Sequence, residues 1–221
     1  MEVTEAIRNR KSTRAFLDKP VPDEVITTVL ECARWAPSGV NSQPWQVAVV
    51  TGETKRQLGN ALAKQRADGE TPRQDYNYYP TQIEEPYIAR KRACGHALYN
   101  ALGIERGDIE MRKAQWMKNY HSFSAPVALL FFIDSILEKG SWVDMGMYIQ
   151  NVMLAARGLG LETCPQAALA EYPDVIRNIL NIPDSKKLIC GMALGYADYD
   201  DPSYQYRTER EPVENFTKWY S

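Results

Sequence analysis

The chain has 221 residues, 44% of them hydrophobic and 24% charged, which suits one globular α/β-sized domain with a real core. A formal net charge of -2 leaves no surplus of cations for a nucleic acid or an anionic membrane. No apolar run reaches bilayer length, and the acidic start Met1-Glu2-Val3-Thr4-Glu5 lacks the basic-then-apolar form of a signal peptide, so a cytoplasmic protein is expected.

Cys32, Cys94, Cys164 and Cys190 are far apart and form no C-x-x-C, which predicts buried free thiols in a reducing compartment. The two histidines, His96 and His121, stand at no ligand spacing from a cysteine or carboxylate, so neither a zinc site nor a Ser-His-Asp triad is expected. Any chemistry therefore falls to a bound organic cofactor.

In chain order, a first helix is predicted from about Thr4, with Val3, Ala6 and Ile7 on its apolar side. It runs into Arg8-Asn9-Arg10-Lys11-Ser12-Thr13-Arg14, four cations in seven residues with hydroxyls between them. That run reads either as a solvated basic face or as a phosphate grip of guanidinium forks and hydroxyls. Asp23 is the expected N-cap of a helix reaching Arg34.

The next segment, Ala36-Pro37-Ser38-Gly39-Val40-Asn41-Ser42-Gln43-Pro44-Trp45, joins that helix to a β-prone run from Val47 to Val50. Turn residues alone would account for a helix-to-strand loop. The crowding of donors and acceptors beside a tryptophan also suits a flat ring with polar edges.

A helix follows over about Thr54 to Gln65. The tyrosine-rich stretch from Arg66 to Tyr87 is expected to be an ordered excursion or lid, since disordered linkers are poor in aromatics. Charged, partly exposed helices are predicted from about Tyr87 to Leu102 and Asp108 to Lys118. Ala125 to Ile133 reads as a buried strand. Ser141 to Leu159 reads as the central helix, with Val143, Met147, Val152, Leu154 and Ala155 as its apolar residues and Gly146 allowing close packing.

Tyr172 to Leu180 is predicted helical from Pro173, and Leu188 to Tyr196 is a last buried strand in which Gly191 and Gly195 permit close backbone approach. The tail from Asp200 to Ser221 carries Arg207 and Arg210 ahead of Val213, Phe216, Trp219 and Tyr220, too apolar to lie free in solvent. Gly158-Leu159-Gly160 lacks the third glycine and ends a helix, so it is no dinucleotide fingerprint, and no Walker A motif occurs.

Arg10-Lys11-Ser12-Thr13-Arg14, the Ala36–Trp45 loop, Gly158-Leu159-Gly160-Leu161 with Cys164-Pro165, and Ala193-Leu194-Gly195-Tyr196-Ala197 follow in the order of the landmarks of the FMN-dependent nitroreductase family, which this sequence resembles from N-terminus to tail. The resemblance implies an α+β fold, a mixed and mostly antiparallel sheet wrapped by helices. It implies a single FMN-binding domain over 1-221, with an excursion at about 66-118 and a tail at about 200-221 packed on the partner of an intertwined homodimer. Two FMN sites would lie at the subunit interface.

By the same resemblance, Arg10 and Ser12 would hold the phosphate and ribityl end, helped by Arg207 and Arg210. Arg14, with Lys11 nearby, would lie at the N1–O2 edge of the ring. Pro37, Ser38, Gly39 and Asn41 would come from the other subunit, with Gln43 reaching the ring or ribityl chain. Pro165, Gln166, Ala167 and Ala168 would line one ring face, the Ala167 backbone N–H directed at N5. Many relatives carry Glu and Gly in that tetrapeptide, so no carboxylate role is expected there; Asn119 is a further candidate at the pyrimidine edge. The implied activity is ping-pong transfer of hydride from NAD(P)H to nitroaromatic or quinone acceptors. Reductive dehalogenation, flavin fragmentation and non-enzymatic flavin binding are the alternatives.

Overall fold

The computed structural model describes residues 1–221. Its helices and strands are α1 (Val3–Asn9), α2 (Asp23–Ala33), β1 (Gln46–Thr51), α3 (Gly52–Ala67), α4 (Tyr87–Ala101), α5 (Ile109–Met117), β2 (Val127–Asp134), α6 (Lys139–Gly158), β3 (Glu162–Gln166), α7 (Pro173–Leu180), β4 (Lys186–Gly195) and α8 (Pro202–Gln205). The four strands form one antiparallel sheet in the order β1-β2-β4-β3. A parallel bridge from Ser12 to Thr163 adds the mixed character.

The apolar run of β2 has no polar alternation because helices cover both faces of the sheet. Leu129, Phe131 and Ile133 point into the core shared with α2 and α6, while Ala128, Leu130 and Phe132 pack toward α3 and α7. Each such large side chain contributes about 1.5–3 kcal/mol by leaving water. Gly191 and Gly195 do permit close approach. A Cβ on Gly191 would stand 2.3 Å from Leu169 Cδ1, and one on Gly195 would stand 2.6 Å from Pro126 Cδ. Gly191→Ala is expected to cost about 1–3 kcal/mol through overpacking, read as a lowered urea midpoint at unchanged slope.

Several expectations need correction. On α6 the buried set is Asp144, Met145, Tyr148, Val152, Met153 and Ala156, whereas Val143 is 65% exposed and a Cβ on Gly146 would meet nothing within 4 Å. The helix is apolar on more than one side, and the sheet claims only one of its stripes. On α1 only Ala6 is buried. Pro22, not Asp23, occupies the N-cap of α2; Asp23 sits in the first turn, where its charge favours the helix dipole. Cys32 and Cys94 are exposed, and only Cys164 and Cys190 are buried. In keeping with the exposure expected of both charged helices, no residue of α4 is buried and α5 buries only Gln115. Phe216, Trp219 and Tyr220 of the tail are exposed in the single chain, where a tail expected to pack on a partner leaves them. No helix is long and apolar enough to cross a membrane.

Candidate functional site

The basic N-terminal segment is laid against the end of the sheet by its backbone. Thr13 N donates to Thr163 O (2.9 Å), Leu17 N donates to Tyr196 O (2.9 Å), and Phe16 bridges Ala197. This places Ser12 beside β3, next to the buried Cys164 thiol, which burial pushes above its ordinary value. The tail returns to the same place through α8, whose N-cap Asp201 accepts from Ser203 N (2.8 Å).

Where segment and tail meet, Arg10, Lys11, Ser12, Arg14, Cys94, Tyr206, Arg207, Thr208 and Arg210 line a cavity of about 90 Å³. Five of the nine are cations and none is a carboxylate. None of the five forms an ion pair; the carboxylate-paired cations are Arg34, Arg56, Lys64, Arg90, Lys113, Arg157, Arg177 and Lys186. Burial, then the like charges of Arg210 and Arg207, hold the Arg10 guanidinium below its ordinary value. Arg10 Nη1 has only the Met153 sulfur (3.8 Å) as a partner. Like charges gathered without counter-charge are costly, and a phosphate relieves that cost through charge-assisted hydrogen bonds.

Lys11 is turned partly aside. Its ammonium donates to the Tyr204 carbonyl and lies 3.6 Å from the centre of the Tyr204 ring. Beneath it, buried Glu162 pairs with Arg157. Burial pushes the Glu162 carboxyl up, against the pull of Arg157 and Lys11. Arg14 Nη1 donates to the Ser12 carbonyl (3.1 Å) and to Tyr206 Oη (2.6 Å).

Further along β3, Pro165 and Ala167 are half-buried and Gln166 and Ala168 buried. Gln166 Nε2 donates to Asn119 O (2.9 Å) and Oδ1 (3.2 Å), while its own Oε1 is buried without a partner. Asn119 thus sits at the end of the same strand, followed by Ser122, Phe123 and Ser124, all with positive φ. His121, in that turn, is held below its ordinary value of 6.5 by burial and then by Lys55. A depressed histidine favours the fold while neutral, so its contribution is complete above pH 6.5 and is lost as the pH falls through the lower folded value. The wild-type urea midpoint is therefore expected to fall below about pH 6.5, and His121→Gln to flatten that dependence.

Pro37, Ser38, Gly39, Asn41 and Gln43 do not join the basic cavity of their own chain. Their loop projects from the surface, with Val40, Asn41 and Gln43 all at positive φ. It is held from behind. Gly39 N donates to the buried Asp144 carboxylate (3.2 Å), Gln43 N donates to Ser38 Oγ (3.0 Å), and Trp45 stacks on Tyr148 with ring centres 4.8 Å apart. Gln43 Nε2 reaches only Asn41 O (3.3 Å). The sequence-predicted residues thus fall into two groups, one around the cavity and β3 and one on an exposed loop.

The nitroreductase family model matches residues 7–196. The chain belongs to the nitroreductase family. It is 38% identical to a nitrobenzene nitroreductase of Ectopseudomonas oleovorans over 97% of this chain and 95% of the relative. It is 37% identical to a 4-nitrobenzoate reductase of Pseudomonas putida over 96% and 92%. The crystal structure of the FMN and NADPH-dependent nitroreductase NfnB from Sphigopyxis sp. strain HMH superimposes with a TM-score of 0.97 at 37% identity, covering all of both chains.

Three cavity residues of this nitroreductase-family chain were not foreseen from sequence: Cys94, Tyr206 and Thr208. Tyr206 and Thr208 flank Arg207, and that adjacency was a usable signal. Cys94 arrives on α4 from a stretch with no motif.

Proposed function

We propose that this chain is an FMN-dependent oxidoreductase that reduces nitroaromatic compounds, and by extension quinones, with electrons from NAD(P)H. The observation that carries this is the five-cation cavity without a carboxylate, built from the two ends of a nitroreductase-family chain. FMN, when bound, supplies the redox chemistry that passes hydride from the nicotinamide to the acceptor.

The chain's own part is binding, orientation and electrostatics. Arg10, Ser12, Arg207 and Arg210 would grip the phosphate and ribityl end, with Lys11 adding charge behind them. Arg14 would meet the N1–O2 edge, where a fixed cation in a site poor in water favours the more negative reduced form. Pro165, Gln166, Ala167 and Ala168 would line the ring, the Ala167 backbone N–H toward N5. The neutral Gln166 leaves no carboxylate in that wall.

The loop carrying Pro37, Ser38, Gly39, Asn41 and Gln43 would complete the site of a second copy, which makes the working unit a homodimer. Support comes from its separation from its own cavity and from the unpartnered apolar surface at Val143, Trp219 and Tyr220. The excursion at about 66-118 would face the acceptor. The 37–38% identical relatives are a nitrobenzene nitroreductase and a 4-nitrobenzoate reductase, which favours nitro reduction over dehalogenation or flavin fragmentation.

Steady-state turnover of nitrobenzene, 4-nitrobenzoate and a quinone with NADPH or NADH tests the activity. Parallel double-reciprocal lines are expected, because donor and acceptor use one ring face in turn. The shared site has its own test. Arg10→Ala and Asn41→Ala chains, each impaired alone, are expected to regain one intact FMN site per hybrid dimer when mixed and reassembled. No recovery would place both groups within one chain.

A further inference from the structure

We propose that Tyr206 is a positioning residue of the cofactor site, its hydroxyl fixing the aim of the Arg14 guanidinium. The inference rests on the placement of Arg14 at the redox edge proposed above.

Arg14 Nη1 spends both of its hydrogens inside the chain, one on the Ser12 carbonyl at 3.1 Å and one on Tyr206 Oη at 2.6 Å. With two acceptors on one terminal nitrogen, the planar group cannot swivel about its stem. Nε and Nη2 make no hydrogen bond within the chain, so the opposite edge of the fork keeps paired donors for a planar acceptor. The Ser12 contact is local, two residues away, and follows the segment wherever it goes. The Tyr206 contact spans 192 positions and ties the aim of an N-terminal arginine to the packing of the C-terminal tail.

A phenol suits this task better than a carboxylate. An acid at this position would neutralise Arg14 and compete with the charge that develops on the ligand. A neutral oxygen accepts the hydrogen bond and leaves the cation's field intact. Burial raises the Tyr206 phenol above its ordinary value, so it remains an O–H. Its own proton has no acceptor in the chain, and Tyr206 lines the same cavity as Arg10, Arg207 and Arg210. Accepting from a guanidinium polarises that O–H and makes it a stronger donor to whatever fills the cavity.

The test uses the FMN-loaded protein and the Tyr206→Phe substitution, which keeps the ring and removes only the oxygen. The readouts are the midpoint potential of the bound flavin, by equilibration with redox dyes, and the dissociation constant of oxidised FMN. Tyr206→Phe is expected to reduce the preference for reduced over oxidised flavin by about threefold to tenfold, which is about 15–30 mV more negative for a two-electron couple. Arg14→Ala is expected to give a larger shift in the same direction. In the Arg14→Ala background, adding Tyr206→Phe is expected to shift the potential no further.

An unchanged potential in Tyr206→Phe beside a lowered one in Arg14→Ala overturns the positioning role and leaves the Arg14 placement standing. A Tyr206→Phe shift that persists in full without Arg14 also overturns it, showing that Tyr206 acts on the cofactor directly. An unchanged potential in Arg14→Ala with FMN still bound removes the Arg14 placement itself, and the inference with it. A destabilised Tyr206→Phe protein is covered by Tyr206→His, whose ring nitrogen can accept from Arg14 and is expected to restore part of the potential.

Discussion

Replacing Arg10 by alanine is expected to weaken FMN binding by about 10- to 100-fold while leaving the cofactor-free protein at least as stable as the wild type. A hydrogen bond to a charged group is worth about 1.5–3 kcal/mol, which sets that range. The second half follows from the electrostatics of the cation cluster itself. Arg10 faces the like charges of Arg210 and Arg207, has no carboxylate partner, and loses hydration by half-burial. Removing it relieves repulsion in the cofactor-free chain and removes attraction in the loaded one. Thermal melts with and without FMN separate the two effects. The melting temperature without FMN is expected to hold or rise, and the increase on adding FMN to shrink. A residue that merely packed would lower both temperatures together.

Asp75→Ala is expected to cost about 3 kcal/mol of folding stability. Asp75 accepts from Arg177 Nη1 (2.8 Å) and Nη2 (3.1 Å), and from the Leu188 backbone N (2.8 Å) at the start of β4. Arg177 is only 8% exposed, and its guanidinium is held above its ordinary value, first by the hydrogen bond to Asp75. Alanine would take the bidentate carboxylate from a buried cation, leaving it the exposed Asp174 and Asp184 and the Lys186 carbonyl (3.1 Å), and would also remove the acceptor of the Leu188 backbone N–H. Asp174, a second carboxylate partner of Arg177 at 2.6 Å, is 63% exposed, and Asp174→Ala is expected to cost less than about 1 kcal/mol. For a chain of this size, about 3 kcal/mol lowers the melting temperature by about 6–12 °C. The same substitution is expected to raise protease sensitivity between α3 and α4. There Tyr76 is a further anchor, donating to Ile189 O (2.6 Å) and meeting the Trp142 ring edge-on at 4.5 Å between centres.

What the sequence made legible was local. The Arg10–Arg14 run, the Ala36–Trp45 loop and the β2 strand each declare themselves through neighbouring residues: the run lines a cavity, the loop joins α2 to β1, and β2 is buried. Continuous apolar sequence in β2 meant two covered faces, and two covered faces are present. What stayed hidden depends on distant partners. On α6 the apolar residues run around more than one side, and nothing short of tertiary packing decides that Met145 and Tyr148 are buried while Val143 is not. Cys94 and Tyr206 reach the cavity on elements about 80 and 190 positions from the basic segment, a juxtaposition that no spacing rule encodes. Asp75 stands in the 66-118 excursion without a motif around it, and it is the closeness of Arg177 and the Leu188 backbone N–H that makes it an anchor.

An anaerobic titration of the FMN-loaded protein, followed by its visible absorbance, tests the proposed chemistry most directly. One equivalent of NADPH or NADH per flavin is expected to bleach the yellow spectrum. Addition of 4-nitrobenzoate or nitrobenzene is then expected to restore it, with consumption of the nitro compound. A chain that takes up no FMN, or a bleached flavin that no nitroaromatic reoxidises, would contradict it.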